Sequence, residues 1–452
     1  MDTKNEYVIY KLADRMKHSI HFDAEQFTKR GVKRGLRNAD GTGVLVGLTN
    51  IGDVHGYTRD ADGTIHPAHG QLFYRGYDVA SIVHAAQQEG RLAFEEVALL
   101  LLSGRLPDRD DLREFGTLVR EYMPLDPRTM LHIIELEGHD IMNILARSVL
   151  ELYTFDDNPD DTSRDNLMRQ SVELISKFPT IIAYAYNMLR HNQLRRSLSI
   201  RHPQPSLSIA ENFLYMLKGK DFTPLEARML DLLLVVQAEH GGGNNSTFTV
   251  RVTSSAGTDT YSSIAAGIGS LKGPLHGGAN LQVNKMLRFL KDEVKDWTDD
   301  DEISDVLRRI VRGETYDGRG LIYGIGHAVY TLSDPRAELL KELAGDLARE
   351  KGREREYAFM QRLEERAKAV IYELKGTRKT VCANVDFYSG FIYELLGFPP
   401  AIFTPIFAMA RIVGWCAHRN EELCFNGKRI IRPAYRFVDD TEQTYVPLAK
   451  RV

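Results

Sequence analysis

A mainly α-helical fold is predicted by three features of the sequence. Apolar residues recur in steps of three and four over long stretches, helix-start signatures stand ahead of several of them, and strands alternating with helices are absent. No internal repeat of 20 to 50 residues is found.

Taken in chain order, the first elements are weak. β-type residues between Gly43 and Asn50 suggest a small hairpin, and a second is suggested from Phe437 to Tyr445. Asp156 to Asp165 (DDNPDDTSRD) and Arg195 to Pro205 are polar and read as loops. Thr223-Pro224-Leu225-Glu226 is a capping box with proline at the first helical position. The helix it opens becomes almost wholly apolar from Leu232 to Val236, so its second half is expected to be buried, and Gly241, Gly242 and Gly243 stop it. Asp334-Pro335 starts another helix, with the stripe Leu340, Leu343, Ala344 and Leu347. Phe359, Met360, Leu363, Ala367, Val370, Ile371 and Leu374 form the clearest amphipathic stripe, with Arg, Glu and Lys between them.

The chain has 452 residues, 43% of them apolar and 27% charged. That is the mix of a globular protein, long enough for two to four domains or for a large domain with a smaller one. The stretch from Asn284 to Arg378 is rich in charge and reads as a smaller inserted helical domain. The organisation expected is a large domain from 1 to 283, a small domain from 284 to 392, and a return to the large domain from 393 to 452. Lys plus Arg is 58 against 62 for Asp plus Glu, a net charge of −4, which argues against general nucleic-acid binding but leaves room for a small anion at a local cationic cluster. Cys382, Cys416 and Cys424 show no CxxC spacing, so a reducing compartment is expected. The first residues carry Asp2, Lys4, Glu6, Lys11 and Asp14 and lack an apolar signal core. The most apolar run, Pro400 to Cys416, is broken by Pro405 and Arg411 and falls short of the roughly 18 uninterrupted residues of a membrane span. A cytoplasmic protein without a membrane partner is expected.

Four segments set polar residues among glycines and between apolar helices. They are Glu239-His240-Gly-Gly-Gly-Asn244-Asn245-Ser246, Gly273-Pro-Leu-His276-Gly-Gly-Ala-Asn280, Gly324-Ile325-Gly326-His327, and Asn384-Val-Asp386-Phe-Tyr-Ser389-Gly390. Glycine beside histidine lets the backbone approach a ligand. Each residue has a plainer reading: His240 as a helix cap or buried histidine, Asp386 as a helix N-cap. Arg411 resists one, because a guanidinium in an apolar run is costly unless a carboxylate faces it. No phosphate-binding loop is present: Gly267-Ile-Gly269-Ser-Leu-Lys-Gly273 has the wrong spacing for a dinucleotide fingerprint. Three histidines and an aspartate could bind zinc, but no HExxH or close His pair supports it.

Together with Gly35-Leu-Arg37-Asn, Leu72-Phe-Tyr74-Arg75-Gly76-Tyr77, Leu207-Ser-Ile-Ala-Glu211-Asn212-Phe, Phe407-Ala-Met-Ala-Arg411 and Arg432-Pro433, these segments resemble the citrate synthase family over most of the chain. The resemblance implies an all-α fold with a large and a small helical domain, and a homodimer. It implies that acetyl-CoA and oxaloacetate are the substrates and that no cofactor or metal is needed, coenzyme A entering as a substrate thioester. Matching positions give Asp386 as the base for the methyl proton, His276 as the hydrogen-bond donor to the thioester oxygen, and His327 as the donor to the ketone. Ser246 orients His276. Arg336, Arg411, Arg432 and His240 bind oxaloacetate, with Phe407 packed beside it, and Arg432 reaches the neighbouring subunit's site. Gly324, Ile325 and Gly326 meet the adenine of coenzyme A, with Lys379 and Arg37 as looser phosphate contacts. His240, at a helix C-terminus, is expected to bind as a cation. Gly241 and Ala383 depart from the family's usual glutamate and proline. Propionyl-CoA in place of acetyl-CoA, as in 2-methylcitrate synthase, is the near alternative; a metallohydrolase centre and a non-catalytic helical scaffold are the remote ones.

Overall fold

The computed structural model describes residues 3–17, 22–135, 138–376, 381–427, 429–438 and 444–451. Its contacts divide the chain into two units, Met1–Val46 with Ile431–Val452, and Gly47–Ile430.

The smaller unit holds α1 (Thr3–Lys17) and α2 (Ala24–Lys29). Asp23 opens α2 with a capping box, its carboxylate taking the Glu25 and Gln26 amides while the Gln26 side chain accepts from Asp23 N. Arg30 donates to the Val438 carbonyl at 2.6 Å, joining the two ends of the chain. Tyr7, Ile9, Tyr10, Tyr435, Phe437 and Tyr445 are all exposed.

The larger unit opens with an antiparallel sheet of β1 (Gly52–Arg59), β2 (Ile65–Tyr74) and the short β3 (Tyr77–Asp78), in that order. Asp53 pairs with Phe73 and Thr58 with His66, and the register shifts between His55 and Tyr57. The hairpin turns at Asp60–Thr64, where Gly63 takes a φ of 90°. The sheet therefore lies just after the expected hairpin at 43–50, which is not a strand pair. Of the second expected hairpin, residues 439–443 lie outside the described residues, and 437, 438, 444 and 445 are not in strands.

The helices that follow are α3 (Val79–Gln88), α4 (Phe94–Ser103), α5 (Arg109–Tyr122), α6 (Pro127–Glu135), α7 (Ile141–Phe155), α8 (Arg164–Leu194), α9 (Ile209–Lys218), α10 (Pro224–Gln237), α11 (Asn245–Ser255), α12 (Thr260–Lys272), α13 (Ala279–Glu293), α14 (Asp300–Val311), α15 (Pro335–Glu350), α16 (Glu354–Lys375), α17 (Val385–Leu395) and α18 (Phe403–Cys424). The protein is all-α apart from its small sheet. The loop expected at 156–165 ends at Ser163, with Arg164 and Asp165 already in the first turn of α8, that expected at 195–205 follows α8, and the capping box at Thr223 opens α10 as written in the sequence.

α18 is the central helix. It packs on α8, α10, α11 and α12, and Phe403, Ile406, Met409, Ile412, Val413 and Trp415 are buried along it. With the 3₁₀ turn before it, this segment is long and apolar enough to cross a membrane by length and composition, but 89% of its apolar 18-residue window is buried inside the protein. It is a core helix. α15, α16 and α17 pack on one another, α14 packs on α16, and α13 on α17. The sheet meets the 329–333 segment closely enough that side chains are excluded: a Cβ on Gly56 would lie 2.5 Å from the Val329 carbonyl oxygen, and one on Gly70 would lie 2.3 Å from that of Ser333. The Thr331 hydroxyl and the Ala68 amide tie that segment to β2 at 3.1 Å.

Candidate active site

The site grows from helix ends and glycine loops. At the end of α10, the Tyr74 hydroxyl from β2 donates to the Val235 carbonyl at 2.8 Å, fixing the last turn before Glu239 and His240. His240 is buried, and its Nε2 has no hydrogen-bond partner among the described residues. The His327 ring stands 5.2 Å away, edge-on at 80°, and is stacked on Tyr330 at 4.7 Å. Two backbone amides, of Val329 and Tyr330, donate to His327 Nδ1 at 3.1 Å each. An amide only donates, so Nδ1 holds a lone pair and a neutral ring carries its proton on Nε2. Arg336 Nη2 lies 3.4 Å from that Nε2. Two donors side by side are arranged to share an acceptor that comes from outside.

Arg336 sits in the first turn of α15, as Asp334-Pro335 implies. Asp334 is wholly buried and binds it as a fork, Nε to Oδ1 at 3.0 Å and Nη2 to Oδ2 at 2.7 Å. The same carboxylate accepts from the Val385 amide at 3.1 Å, which joins α15 to the start of α17.

Arg411 lies in the middle of α18, fully buried, over the face of Phe407 at 4.9 Å. Its Nε donates to the Gln237 carbonyl at 2.7 Å, while Nη1 and Nη2 have no partner among the described residues. Burial pulls its pKa down to about 10, against the field of Glu239, so it stays charged at neutral pH. Glu239 balances it: burial pushes this carboxyl up, but His418, bound at 2.8 Å, and Arg411 hold it below its usual range.

His276 lies between α12 and α13, with Phe407 edge-on at 6.2 Å. Its Nε2 is 2.9 Å from the Ser246 hydroxyl and accepts from the Ser246 amide at 3.3 Å. The proton of the neutral ring is therefore on Nδ1. Burial, then the Arg411 charge, lowers its pKa to about 4, so the ring is neutral across the physiological range.

Asp386 is the second residue of α17, whose N-cap is Asn384 and not Asp386 itself. The cap frees the carboxylate for another task. Asp386 is half-buried, and its pKa is pushed up to about 6 by desolvation, with Arg336 pulling down, Asp334 pushing up and an Asn280 hydrogen bond pulling down. The Gly324–Ile325–Gly326 loop is clipped to this segment: Asn384 N donates to Gly324 O at 2.8 Å, Gly326 N to Cys382 O at 2.7 Å, and Asn384 Nδ2 to Gly326 O at 2.9 Å. Gly324 and Gly326 take φ of 83° and 102°, and a Cβ on Gly324 would meet Phe387 at 3.0 Å.

The structure thus gathers most of the residues singled out from the sequence. His240, His327, Arg336 and Arg411 feel one another's charge, Asp386 is coupled to Arg336, and His276 to Arg411 and Phe407. Arg432 and Arg37 belong to the smaller unit; both are exposed, and Arg37 spends Nη1 on the Gly41 carbonyl at 3.2 Å. Lys379 lies outside the described residues. The expectation that His240 is a cation is corrected: burial, then Arg336, His327 and Arg411, lower its pKa well below 6.5, and desolvation with two guanidinium neighbours outweighs a helix C-terminus. Among the described residues, no three His, Cys, Asp or Glu side chains are placed to hold a metal ion. Sequence reasoning missed Asp334, Tyr330, Tyr74 and the Glu239–His418 pair. Asp334 was legible only as a helix cap, and the other contacts join residues far apart in the chain.

Two buried guanidinium groups and two imidazole N–H donors make a receptor for a small molecule carrying carboxylate and carbonyl oxygens. A neutral donor such as His276 and a carboxylate with a raised pKa such as Asp386 are the two kinds of group needed to remove a proton next to a carbonyl. The family model for the citrate synthase C-terminal domain matches residues 39–434. The citrate synthase of Acidithiobacillus ferridurans is 36% identical over 403 residues, 87% of this chain and 96% of that protein. The 2-methylcitrate synthase of Shewanella oneidensis is 33% identical over 383 residues, covering 84% and 92%. Among solved structures, citrate synthase from the archaeon Thermoplasma acidophilum, in ternary complex with carboxymethyl coenzyme A and oxaloacetate, superposes with a TM-score of 0.74 at 27% identity, over 93% of this chain and 99% of that one. The chain belongs to the citrate synthase family.

Proposed function

We propose that the chain joins the methyl carbon of acetyl-CoA to the ketone carbon of oxaloacetate and hydrolyses the resulting thioester to citrate and coenzyme A. The observation that carries this reading is Arg411, a fully buried cation whose two Nη groups have no partner among the described residues. Leaving them bare is costly unless an anion completes the site. The Thermoplasma acidophilum relative was solved with carboxymethyl coenzyme A and oxaloacetate, which supports the same pair of ligands here.

In this mechanism Arg336, Arg411 and the neutral His240 Nε2–H hold the oxaloacetate carboxylates, and Phe407 packs against the substrate. Asp386 takes a proton from the acetyl methyl group while His276 Nδ1–H donates to the thioester oxygen on which negative charge develops. The methyl carbon, now nucleophilic, bonds to the ketone carbon. The ketone oxygen receives the His327 Nε2 proton. Water then cleaves the thioester, releasing coenzyme A. Each acid or base role is worth about 10²–10⁴ in rate. No metal or further cofactor enters these steps.

Coenzyme A is assigned to the Gly324–Ile325–Gly326 loop, with Lys379 and Arg37 as phosphate contacts. The loop is bonded directly to the segment that carries Asp386, so thioester binding and placement of the base are coupled. The segment from 284 to 392 acts as a small domain that closes over the substrates and excludes water. The active form is a homodimer in which Arg432 reaches the neighbouring site. The exposed apolar residues of α1 and of the C-terminal segment, Tyr435 and Phe437 among them, favour burial against a second copy. The three unpaired cysteines favour the cytoplasm.

Propionyl-CoA is the second reading, favoured by the 33% identity to the Shewanella oneidensis 2-methylcitrate synthase. One methylene is worth about 1–3 kcal/mol of discrimination, and the same catalytic groups serve both thioesters. Release of free thiol, measured with oxaloacetate and each acyl-CoA in turn, separates them through kcat/KM. No release with either thioester would reject both.

A further inference from the structure

We propose that Trp415 is a positioning residue for His276, holding the Ser246 hydroxyl that keeps the His276 proton on Nδ1. The inference rests on the catalytic role proposed above for His276. Trp415 follows Arg411 by four residues on α18, so both project from one side of that helix. Its indole Nε1–H donates to Ser246 Oγ at 3.2 Å, and Oγ in turn stands 2.9 Å from His276 Nε2. Trp415 and Ser246 are both wholly buried. Val250 and the Trp415 ring close around Gly267: a Cβ there would meet them at 2.6 and 3.4 Å. The indole therefore has little freedom to turn away.

The proton count fixes what this contact does. Indole Nε1 can only donate, so it occupies one lone pair of Oγ. The Ser246 amide already donates to His276 Nε2 at 3.3 Å. The acceptors in reach of the hydroxyl proton are Nε2 and Asn244 Oδ1, the latter at 3.1 Å. Because the amide fixes Nε2 as an acceptor, the hydroxyl can meet it only as a donor, and its one proton goes to Nε2 at 2.9 Å in preference to Asn244 Oδ1 at 3.1 Å. Donation from the indole polarises Oγ–H and strengthens this bond in a site of low dielectric. Nε2 then stays an acceptor, and the proton that the thioester oxygen needs stays on Nδ1. α18 thus serves both substrates: Arg411 for the carboxylate, and Trp415, through Ser246, for the imidazole.

The test uses full-length protein with Trp415→Phe, Ser246→Ala and the double variant. Thiol release is assayed with acetyl-CoA and oxaloacetate, and the His276 ring nitrogens are read by ¹⁵N NMR. Trp415→Phe is expected to lower kcat about tenfold, leave the oxaloacetate KM within about twofold, and move the ring toward a mixture of tautomers. In the double variant, kcat is expected to equal that of Ser246→Ala alone. Unchanged kcat, additive losses, a loss that falls on KM, or a ring still protonated only on Nδ1 would overturn the proposal. If Trp415→Phe fails to fold, Ser246→Ala decides: the indole proton resonance and the His276 ring signals must both move, and movement of one alone overturns the link. Absence of thiol release from the wild type would reject the role of His276, whereas the ring spectrum reports on the tether itself.

Discussion

Asp386 has opposite effects on folding and on catalysis, and replacing it by asparagine separates them. Its carboxyl is raised from 3.8 to about 6, chiefly by desolvation. A group with a raised native pKa adds stability that is complete below its unfolded value and is lost as pH rises through the native one. Ionised Asp386 is thus a net cost to the empty protein above pH ~6. A difference of about 2.2 pH units at 1.36 kcal/mol each sets an upper bound of about 3 kcal/mol. Partial solvent contact reduces this to about 1–3 kcal/mol. Asparagine keeps the shape and never ionises. With an unfolding entropy of about 2.1 cal/mol/K per residue, a gain of that size raises Tm by about 1–3 °C. Asp386→Asn and wild type are expected to melt nearly together at pH 4 and below, to separate progressively between about pH 4 and 6, and to stay apart up to pH 8 with the variant higher. The same variant is expected to bind oxaloacetate and to lose exchange of the acetyl methyl protons. Scanning fluorimetry from pH 4 to 8 and deuterium exchange by NMR measure the two effects. A variant less stable than wild type at pH 8, or a Tm gap independent of pH, would refute the desolvation argument; normal proton exchange would refute the role as base.

Because Asp386 must be ionised to accept a proton, kcat/KM for acetyl-CoA is expected to fall about tenfold per pH unit below its raised pKa, near 6, while His276 stays neutral down to about pH 4; a stopped assay across pH 4.5–8 checks this. Arg411→Leu is expected to weaken oxaloacetate binding about 10²-fold or more, with little loss of stability in the empty protein because a buried cation with two bare Nη groups is removed; calorimetry with oxaloacetate and a melting curve measure both. Gly414→Ala is expected to destabilise by about 1–3 kcal/mol and raise the oxaloacetate KM, because the new Cβ would lie 2.4 Å from Glu239 Oε2 and 2.5 Å from the Ala238 carbonyl; melting and steady-state kinetics test it.

The helices were legible where local chemistry decides them. Thr223-Pro224 and Asp334-Pro335 mark α10 and α15, and the stripe from Phe359 to Leu374 marks α16, because capping and apolar spacing are properties of neighbouring residues. The sheet was not found. Its strands carry His55, Gly56, His66, Pro67 and Gly70, which blur the alternation of a half-buried strand, and its glycines are fixed by the 329–333 segment packed against them. The hairpin signal was Asp62-Gly63. At the site, residue types were legible through their glycine-rich settings, but charge states were not. His240 ends a helix, which favours a cation; only the fold brings Arg336, His327 and Arg411 close enough to reverse that.

The site is held ready by pairings that leave its charge unfinished. Asp334 neutralises Arg336 through Nε and Nη2 and also holds the Val385 amide, so anchoring the anion receptor and setting the start of the base-bearing helix are one act. Glu239 offsets Arg411 through space but does not cap its Nη groups, which therefore stay available without moving. His276 and His327 each have one ring nitrogen occupied by backbone amides, which leaves the other as a donor aimed elsewhere. Such donors need no reorganisation as negative charge develops on a substrate oxygen, and that is the condition under which fixed dipoles accelerate a reaction rather than merely bind its reactants. The cost of that readiness is borne by buried, half-satisfied polar groups, and the stability gain expected for Asp386→Asn measures one share of it.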